Sequence, residues 1–563
     1  MKIQRSDLKI IGWIFIAALL QVWGLASKPV WADEWSSLAF GLGAGFREVP
    51  LNQVISAETL LSPVDAVTTW QGPAAFQSLQ LESNHPPLYF QWLHLWLLVT
   101  GFMGSHLIWW GRLFSVLWGL ATVAIAGFFG SAVGGWRLAV LLAVSPFGVY
   151  LGQEIRHYSL ASFWVLCSLL CFVQALRNHK NQTLSWRVVV AWSLVNNLGI
   201  ATHFFFGLGL VAQAVTLLSV AWQDWHKRNL NLLQSPFWQR IGIVAFASVL
   251  AGFWLPWAGV GETERLTTWL NAGNPWGDGF LGPPVRLLLW FLSMFVAFPI
   301  EGVPMWVAIV SGVFALGLVG WWACQEWGPA ALDSETALIY QGLRDYLLFV
   351  ILLLLLLIYG FDTDLSLAPR YQFVTYPAVM MLMGIFVSSR SKTRQGRTLF
   401  FSLIMAGVFG CLTVTSNFAF QKPDRPELVA AAIANAGGAQ PVLIATLQKT
   451  HAETSKLMGV AWELQQRNAP GEYVYLLAHK NQTQGGAQKA VQVLEDVLAE
   501  QSNPFTLWFV NFTATTRGLQ DKYGCDKDGD SIEKVSGYRF RRFDCRDYAL
   551  SFLEDGSIQK PPL

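Results

Sequence analysis

Long apolar runs alternate with short polar stretches along the first three quarters of the chain. A helix needs about 17–25 apolar residues to cross the hydrocarbon core of a membrane. Runs of that kind begin near Ile10, Gly111, Gly135, Tyr158, Arg187, Phe204, Ile241, Pro304, Tyr346, Tyr371 and Thr398. The pattern therefore predicts a multi-span α-helical membrane protein with about 11 transmembrane helices.

Two further apolar runs, at about 88–103 and 286–300, are shorter and are bounded by proline or glycine. Runs of this length are typical of interfacial or re-entrant helices rather than of spans. The first run of the chain follows three basic residues and resembles a signal peptide, an alternative that Val30-Trp31-Ala32 supports as a cleavage site. Because Lys28 and Pro29 intervene, we expect a retained first helix with a cytoplasmic N-terminus.

The pattern changes after Phe418, where a polar tract of about 140 residues carries no run long enough to cross a membrane. Segments 441–445 and 505–510 are typical of buried strands. Segments 454–467 and 487–500 have apolar residues at the three- and four-residue spacing of helices. The sequence thus predicts a transmembrane domain over residues 1–420 and a small α/β extramembrane domain over 421–563.

Composition agrees with a membrane protein, since 53% of the 563 residues are hydrophobic and only 13% are charged. Soluble domains carry about 25% charged residues. The formal net charge of +2 argues against a nucleic-acid partner. The six cysteines are scattered and lack the paired spacing of a zinc or iron–sulfur site.

Clusters of basic residues indicate how the spans are oriented, because cytoplasmic loops carry an excess of lysine and arginine. Three clusters are expected inside: Arg177/Lys180/Arg187, Lys227/Arg228/Arg240 and Arg390/Lys392/Arg394/Arg397. With the N-terminus also inside, the parity of the spans closes only if the two shorter runs do not cross. The C-terminal domain then lies outside, where Cys525 and Cys545 are predicted to form a disulfide.

Unusual polar residues from at least five segments fall at or near the outer face in this topology. They are Asp33, Glu34, His85, Arg112, Glu154, Arg156, His203 and Arg370. Ionisable groups beside apolar helices at one membrane depth indicate a shared cavity. The adjacent carboxylates of Asp33 and Glu34, just after the first span, are where a base acting on a membrane-bound substrate is expected.

Each of these residues also has an ordinary structural explanation. Asp33 and Glu34 fit a solvated loop after a helix end, and His85 fits a turn before Pro86. Arg112 fits a side chain reaching the lipid headgroups, and His203 fits a local helix cap. A site is favoured only because all of these residues are predicted on the outer side of the membrane.

Four short motifs resemble those of polytopic glycosyltransferases of the GT-C superfamily, over roughly residues 1–420. They are Asp33-Glu34, His85-Pro86-Pro87-Leu88-Tyr89, Gln153-Glu154-x-Arg156-x-Tyr158 and Arg370-Tyr371. The relatives concerned are the dolichyl-phosphate-mannose–protein mannosyltransferases, the aminoarabinose transferase of lipid A and bacterial enzymes of lipopolysaccharide cores. The Gln-Glu-x-Arg-x-Tyr form of the third motif is most similar to that of a broad bacterial subgroup of these glycosyltransferases. The resemblance therefore does not identify the substrate.

The resemblance implies an inverting transferase that takes a sugar from a polyprenyl-phosphate donor. It implies Asp33 as the base, Glu34 either as its neighbour in a hydrogen-bond network or as an acceptor-binding group, and Glu154 as a second acidic group. It implies a donor-binding set of His85, Arg112, Arg156, Tyr158, His203, Arg370 and Tyr371, in which the arginines hold the phosphate. Some members bind a divalent metal, for which Mg or Mn on Asp33, Glu154 and His85 is the candidate. No cofactor is certain.

The resemblance also implies an enzyme of the bacterial cytoplasmic membrane whose active site and C-terminal domain face the periplasm. Glycolipid, polysaccharide and protein all remain open as the acceptor. A transporter or flippase of lipid-linked sugars is the alternative, although it predicts mid-membrane charges and a two-fold repeat that the sequence lacks. A non-catalytic membrane protein of envelope assembly is a more distant one.

Overall fold

A computed structural model describes residues 5–65, 70–101, 106–250, 252, 270, 276, 279–325, 332–436, 440–480, 486–500, 504–514, 519–528 and 532–545. The chain divides by its contacts into two compact units. The helical unit is Met1–Ser27 with Leu79–Gln421, and the α/β unit is Lys28–Ser78 with Lys422–Leu563. Residues 28–78 thus group with the C-terminal tract that begins at Lys422.

The helices occur in the following order. They are α1 Arg5–Val22, α2 Ala32–Gly41, α3 Ala57–Leu61, α4 Gly72–Glu82, α5 Leu88–Thr100, α6 Leu107–Phe129, α7 Trp136–Ala143, α8 Pro146–Gly152, α9 Tyr158–Asn178, α10 Trp186–Thr202, α11 Phe206–Arg228, α12 Pro236–Leu250, α13 Gly282–Ser293, α14 Met305–Ala323, α15 Ser334–Gly360, α16 Tyr376–Ser389, α17 Arg394–Thr415, α18 Pro426–Asn435, α19 His451–Gln466, α20 Gly486–Glu500 and α21 Leu519–Tyr523. The 3-10 helix Pro369–Val374 precedes α16.

The helical unit is a multi-span membrane bundle, as predicted. Within the described residues, six helices are long and apolar enough to cross a membrane. They are Leu107–Phe129, Tyr158–Asn181, Phe206–Lys227, Met305–Ala323, Ser334–Gly360 and Arg394–Thr415. Large apolar side chains stay exposed on this unit, including Trp306 at 68% and Phe314 at 66%. A lipid surface accounts for such exposure, which water would disfavour.

The remaining predicted spans correspond to shorter or more polar helices. The run near Gly135 is not a single span, because it is divided into α7 and α8 at Ser145. The Ser145 hydroxyl accepts from the Gly148 N–H and donates to the Met294 carbonyl over 2.7 Å. Pro146 occupies the first turn of α8, so the backbone of the preceding helix cannot continue through it.

Both short apolar runs form helices that are too short to cross. α5 has 13 residues and α13 has 12. At about 1.5 Å per residue they reach about 20 Å, which is less than the roughly 30 Å of a hydrocarbon core. This agrees with the prediction that neither run is a span.

The α/β unit is built on one seven-stranded sheet with the order β1-β3-β2-β4-β7-β5, in which β6 also pairs with β7. The strands are β1 Val54–Ser56, β2 Val442–Gln448, β3 Tyr473–His479, β4 Phe505–Val510, β5 Cys525–Lys527, β6 Glu533–Val535 and β7 Tyr538–Cys545. β2 runs parallel to both β3 and β4, and the other pairings are antiparallel. The predicted small α/β domain is therefore confirmed.

The two strands and two helices predicted in this tract are β2, β4, α19 and α20. β1 is contributed by the segment after α2, which lies within the range 1–420 predicted as the transmembrane domain. Cys525 and Cys545 are directly opposite each other on β5 and β7 and form a disulfide.

Candidate active site

Two polar side chains from distant segments of the helical unit form a direct hydrogen bond. The Arg156 guanidinium donates to His85 Nε2 over 3.2 Å. The His157 ring lies 4.8 Å from that of His85 and 4.7 Å from that of His203, between ring centroids. Three histidines and an arginine, from three separate parts of the chain, thus share one small region.

A second arginine reaches the same region from the 3-10 helix before α16. Arg370 Cζ lies 6.0 Å from the Tyr158 ring centroid, and Arg156 Cζ lies 5.6 Å from it. Arg370 also lies 5.5 Å from the ring of its neighbour Tyr371. Two guanidinium groups therefore contact one aromatic ring, whose face attracts cations.

The bend between α8 and α9 positions this motif. α8 ends at Gly152 and α9 begins at Tyr158. The Gln153 amide donates to the carbonyls of Gln21 and Trp23, each over 2.9 Å. These carbonyls belong to the end of α1, where helix geometry provides no partner, so Gln153 fastens the bend to the first helix.

Glu154 is 2% exposed and lies in the interior of this bend. Its carboxylate interacts electrostatically with the Tyr150 hydroxyl, to which Arg370 is hydrogen-bonded. Tyr150 therefore connects the acidic and basic residues of the cluster. It is a member of the candidate site that the sequence patterns did not identify.

The imidazoles of His157 and His203 are kept neutral by their surroundings. Burial is the main cause that lowers the pKa of His157 well below its ordinary value, followed by the charges of neighbouring His203 and His85. Burial likewise lowers the pKa of His203, with further contributions from His85, Arg156 and Arg370. The positive charge of the cluster is accordingly carried by its arginines, while a neutral imidazole still offers one N–H donor.

Arg112 is fully buried, and its Nη1 donates to the Leu25 carbonyl over 2.8 Å. This bond holds the chain just after α1 against α6. Three residues further along α6, the Ser115 hydroxyl donates to the Arg156 carbonyl over 3.3 Å. The Tyr89 hydroxyl lies 3.1 Å from Ser115 Oγ, so α5, α6 and the bend before α9 are joined through one serine.

Asp33 and Glu34 belong to the α/β unit, where they occupy the first turn of α2. The Ala32 N–H at this end donates to Asp424 Oδ2 over 3.1 Å, which satisfies one of the free donors of the helix. Asp424 is in turn paired with Lys456 at 3.2 Å. A carboxylate from a distant part of the chain thus fixes the start of the helix that carries both predicted acidic residues.

The two carboxylates differ sharply in environment. Glu34 is fully buried, and its Oε2 lies 3.6 Å from Nζ of Lys422, which is itself 3% exposed. Asp33 is half-buried and interacts electrostatically with His451 at the start of α19. Of the pair, Asp33 is the carboxylate with access to solvent, and Glu34 is half of a buried ion pair.

Of the candidate metal ligands, Asp33 belongs to the α/β unit, and His85 and Glu154 belong to the helical unit. Among the described residues, no group of three or more His, Cys, Asp and Glu side chains is arranged to hold a metal ion. His85 accepts its hydrogen bond from a guanidinium, a neighbour that suits an anion better than a divalent cation. A metal on these residues stays a prediction.

Several residues of the two regions were missed by the sequence patterns. His157 stands inside the third motif, between two of its predicted members, and its position there is a usable signal. Tyr150, Lys422 and His451 carry no such signal, because each meets its partners only through tertiary packing.

No family model matches the chain, and no curated protein matches it. The solved structures that are similar to it include two crystal structures of ArnT from Cupriavidus metallidurans. The one bound to undecaprenyl phosphate has 12% sequence identity and a TM-score of 0.45, with 95% of this chain and 97% of that chain covered. The apo state has the same identity and coverage with a TM-score of 0.39. These likenesses are distant, and what the first structure binds is a property of ArnT.

Proposed function

We propose that this protein is an inverting glycosyltransferase that moves a sugar from a polyprenyl-phosphate donor to an acceptor hydroxyl at the outer face of the membrane. The observation that carries the proposal is the arrangement of Arg156 and Arg370 around Tyr158, beside three histidines, in a membrane-spanning unit. Of these residues, His85, Arg156, Tyr158 and Arg370 belong to motifs that resemble those of GT-C enzymes. The proposed location is a bacterial cytoplasmic membrane with the site on the periplasmic side.

The leaving group of such a reaction explains the cationic cluster. When the bond between the anomeric carbon and the phosphate oxygen breaks, the lipid phosphate gains negative charge. Guanidinium groups stabilise that charge with paired hydrogen bonds, and they do so best where water is excluded. Buried, neutral imidazoles of His157 and His203 can add N–H donors without adding charge. The cluster therefore suits a departing phosphate better than it suits a neutral sugar.

Asp33 is proposed as the base. In the step, the acceptor oxygen attacks the anomeric carbon as its proton passes to the Asp33 carboxylate, and the polyprenyl phosphate leaves with the bonding electrons. The configuration at the anomeric carbon inverts because attack and departure occur on opposite faces. The exposure of Asp33, in contrast to buried Glu34, supports this choice between the two neighbours.

The test is a transfer assay with the purified full-length protein in lipid. Donors are undecaprenyl-phosphate-linked mannose, glucose, galactose and aminoarabinose, and an extract of bacterial envelopes supplies acceptors. We expect sugar transfer with at least one donor, and at least a ~100-fold loss in Asp33→Asn, the lower end of what a general base contributes. Glu48→Gln, which changes an exposed carboxylate of the same unit, is the control and should transfer normally.

A companion variant separates catalysis from folding. Glu34→Gln leaves the Lys422 ammonium buried without its carboxylate, a change that typically costs about 3–5 kcal/mol of stability. We expect lower yield and melting temperature for Glu34→Gln, and a near-normal melting temperature for Asp33→Asn. Near-normal transfer by well-folded Asp33→Asn protein would refute the assignment. Movement of the intact lipid-linked sugar across vesicles, with no transfer of sugar by the wild type, would instead favour the transporter.

A further inference from the structure

A cavity of about 430 Å³ opens in the α/β unit, distinct from the residues assigned above to catalysis. Its lining comes from α19, from the ends of β2 and β4 and from the hairpin of β6 and β7. Its volume lies within the range of roughly 300–1,000 Å³ that is usual for small-molecule sites. Such a site is large enough for a sugar carrying a phosphate.

The cavity lies where an open α/β sheet is expected to bind ligands. From β2 the chain passes through α19 to β3 on one side, and then through α20 to β4 on the other side of β2. The strand order thus reverses between β2 and β4, and a crevice forms beyond their carboxyl ends. Leu447 lies at the end of β2, Lys449 directly follows that strand, and Asn511 directly follows the end of β4.

The lining is strongly cationic. Four basic side chains, Lys449, Lys456, Lys534 and Arg539, and one acidic side chain, Glu453, line the cavity. Lys456 is already paired with Asp424 at 3.2 Å, so the excess of positive charge rests on Lys449, Lys534 and Arg539. The Glu453 carboxylate is already engaged, because it accepts from both the Thr450 N–H and its hydroxyl in the capping box of α19. The charge left for a ligand is therefore positive.

The opposite wall is a hairpin held in a fixed shape. The Asn511 side chain donates to the Gly537 carbonyl over 3.1 Å and accepts from the Arg539 N–H over 2.9 Å. Gly537 has a φ of +80°, and a Cβ there would lie 2.1 Å from Asp424 Oδ1, so only glycine fits. These contacts position Lys534 and Arg539, on the two strands of the hairpin, beside the cavity before any ligand arrives.

We propose that this cavity binds a phosphorylated ligand: a sugar phosphate or the phosphorylated headgroup of a glycolipid. A phosphate carries about −1.5 to −2 charges at neutral pH and offers three strong acceptor oxygens, which match the excess of lysine and arginine. Polar Asn511 and Thr513 and the ring of Tyr538 complete a lining suited to a sugar. The proposal is independent of the transferase activity, because none of the lining residues has a role in that reaction.

Calorimetric titration of the purified full-length protein in detergent tests this proposal. Glucose 1-phosphate and soluble dihexanoyl phosphatidic acid are the probes for a free sugar phosphate and for a lipid headgroup, and glucose is the uncharged comparison. We expect saturable binding of at least one phosphorylated probe and none of glucose. Tighter binding of glucose 1-phosphate would identify a free sugar phosphate, and tighter binding of the phosphatidic acid would identify a headgroup.

Matched variants locate the binding. Arg539→Ala and Lys534→Ala change exposed side chains, and each should weaken binding by about 10- to 100-fold, the effect of losing one charged hydrogen bond. Lys489→Ala removes an equally exposed lysine on α20, outside the cavity lining, and should leave the affinity unchanged. The proposal is overturned if neither phosphorylated probe binds, or if all three variants, still folded by circular dichroism, weaken binding equally.

Discussion

Burial assigns different roles to chemically similar residues that are adjacent in the sequence. Glu34 is fully enclosed with Lys422, whereas Asp33, one position earlier on the same helix turn, keeps access to solvent. A pair of carboxylates in a motif identifies a region, but the sequence does not say which one is available to a substrate. In this chain the answer depends on a lysine nearly 400 residues away in the sequence, a contact that only the folded chain creates.

His451 illustrates the same dependence and leads to a pH prediction. Its ring packs against Phe46 at a centroid distance of 5.1 Å, and burial lowers its pKa to about 4. In the unfolded chain a histidine binds a proton near pH 6.5. The unfolded state therefore binds more protons between about pH 6.5 and 4, and stability falls as the pH is lowered through this window, by about 3 kcal/mol in total.

The variant His451→Phe should flatten that part of the pH dependence. The measurement is the melting temperature of the detergent-solubilised protein at several values from pH 7.5 to 4.5, compared with wild type. Because buried His157 and His203 act in the same direction, the informative quantity is the difference between the two proteins. His106→Phe, at an exposed position, is the control and should follow the wild-type curve. If the melting temperatures of wild type and His451→Phe change with pH in parallel, protonation of His451 does not lower the stability of the protein.

At the scale of elements, hydrophobic periodicity predicted most helices and failed where a local interaction interrupts a run. The run after Gly135 is apolar throughout its length, yet Ser145 and Pro146 divide it into two helices. In the α/β unit, periodicity located β2, β4, α19 and α20. β1 has only three residues, and its pairing with β3 joins segments separated by more than 400 positions, so no local pattern could reveal it.

The predicted site shows the same division. Motif order and sidedness predicted that His85, Arg156, His203 and Arg370 lie close together. Within the helical unit, a hydrogen bond, a ring contact and electrostatic interactions link these four residues. Asp33 and Glu34 lie in the other compact unit, and their sharing of a cavity with the four remains a prediction. The site could be predicted only in part, because a sequence indicates the depth of a residue in the membrane more directly than it indicates which residues lie beside it.

The disulfide between Cys525 and Cys545 makes an element-scale prediction, because it ties the short strand β5 to β7. Closing a loop of 20 residues stabilises a folded domain by about 3 kcal/mol on the chain-entropy model. Replacing both cysteines by serine should therefore lower the melting temperature and expose β5 to proteolysis. Cys324→Ser, at an exposed free cysteine, is the control and should behave as wild type.

Thiol titration of the denatured chain tests the same bond directly. Of six cysteines, Cys167, Cys171, Cys324 and Cys411 are free in the structure. We expect four reactive thiols without reductant and six after reduction. Six thiols in both conditions would contradict the predicted oxidising location of the α/β unit as well as the disulfide.

At the scale of the whole molecule, the helical unit has two chemically distinct ends. α9 begins beside the histidine and arginine cluster and ends at Asn178, after 21 residues. That length corresponds to about 30 Å, the thickness of a bilayer core. Near its far end, Arg177 pairs with Glu335 at 2.7 Å and His179 contacts Asp224 at 2.8 Å, so the ends of α11 and α15 meet there. The candidate site and the basic residues after α9 therefore lie at opposite ends of a helix whose length matches a bilayer core.

This separation gives the last prediction, which concerns membrane topology. If the basic clusters are cytoplasmic, truncation fusions of a paired cytoplasmic and periplasmic reporter after Asn181 and after Gln395 should both report the inside. A fusion at the C-terminus should report the outside, because α17 crosses the membrane once between Gln395 and the α/β unit. The fusion after Asn181 is the internal control, since it tests the far end of α9 independently of α17. If the Gln395 and C-terminal fusions report the same side, the predicted topology is wrong. The transferase assignment then loses its topological basis, because the proposed reaction requires Asp33 and the α/β unit to face the periplasm.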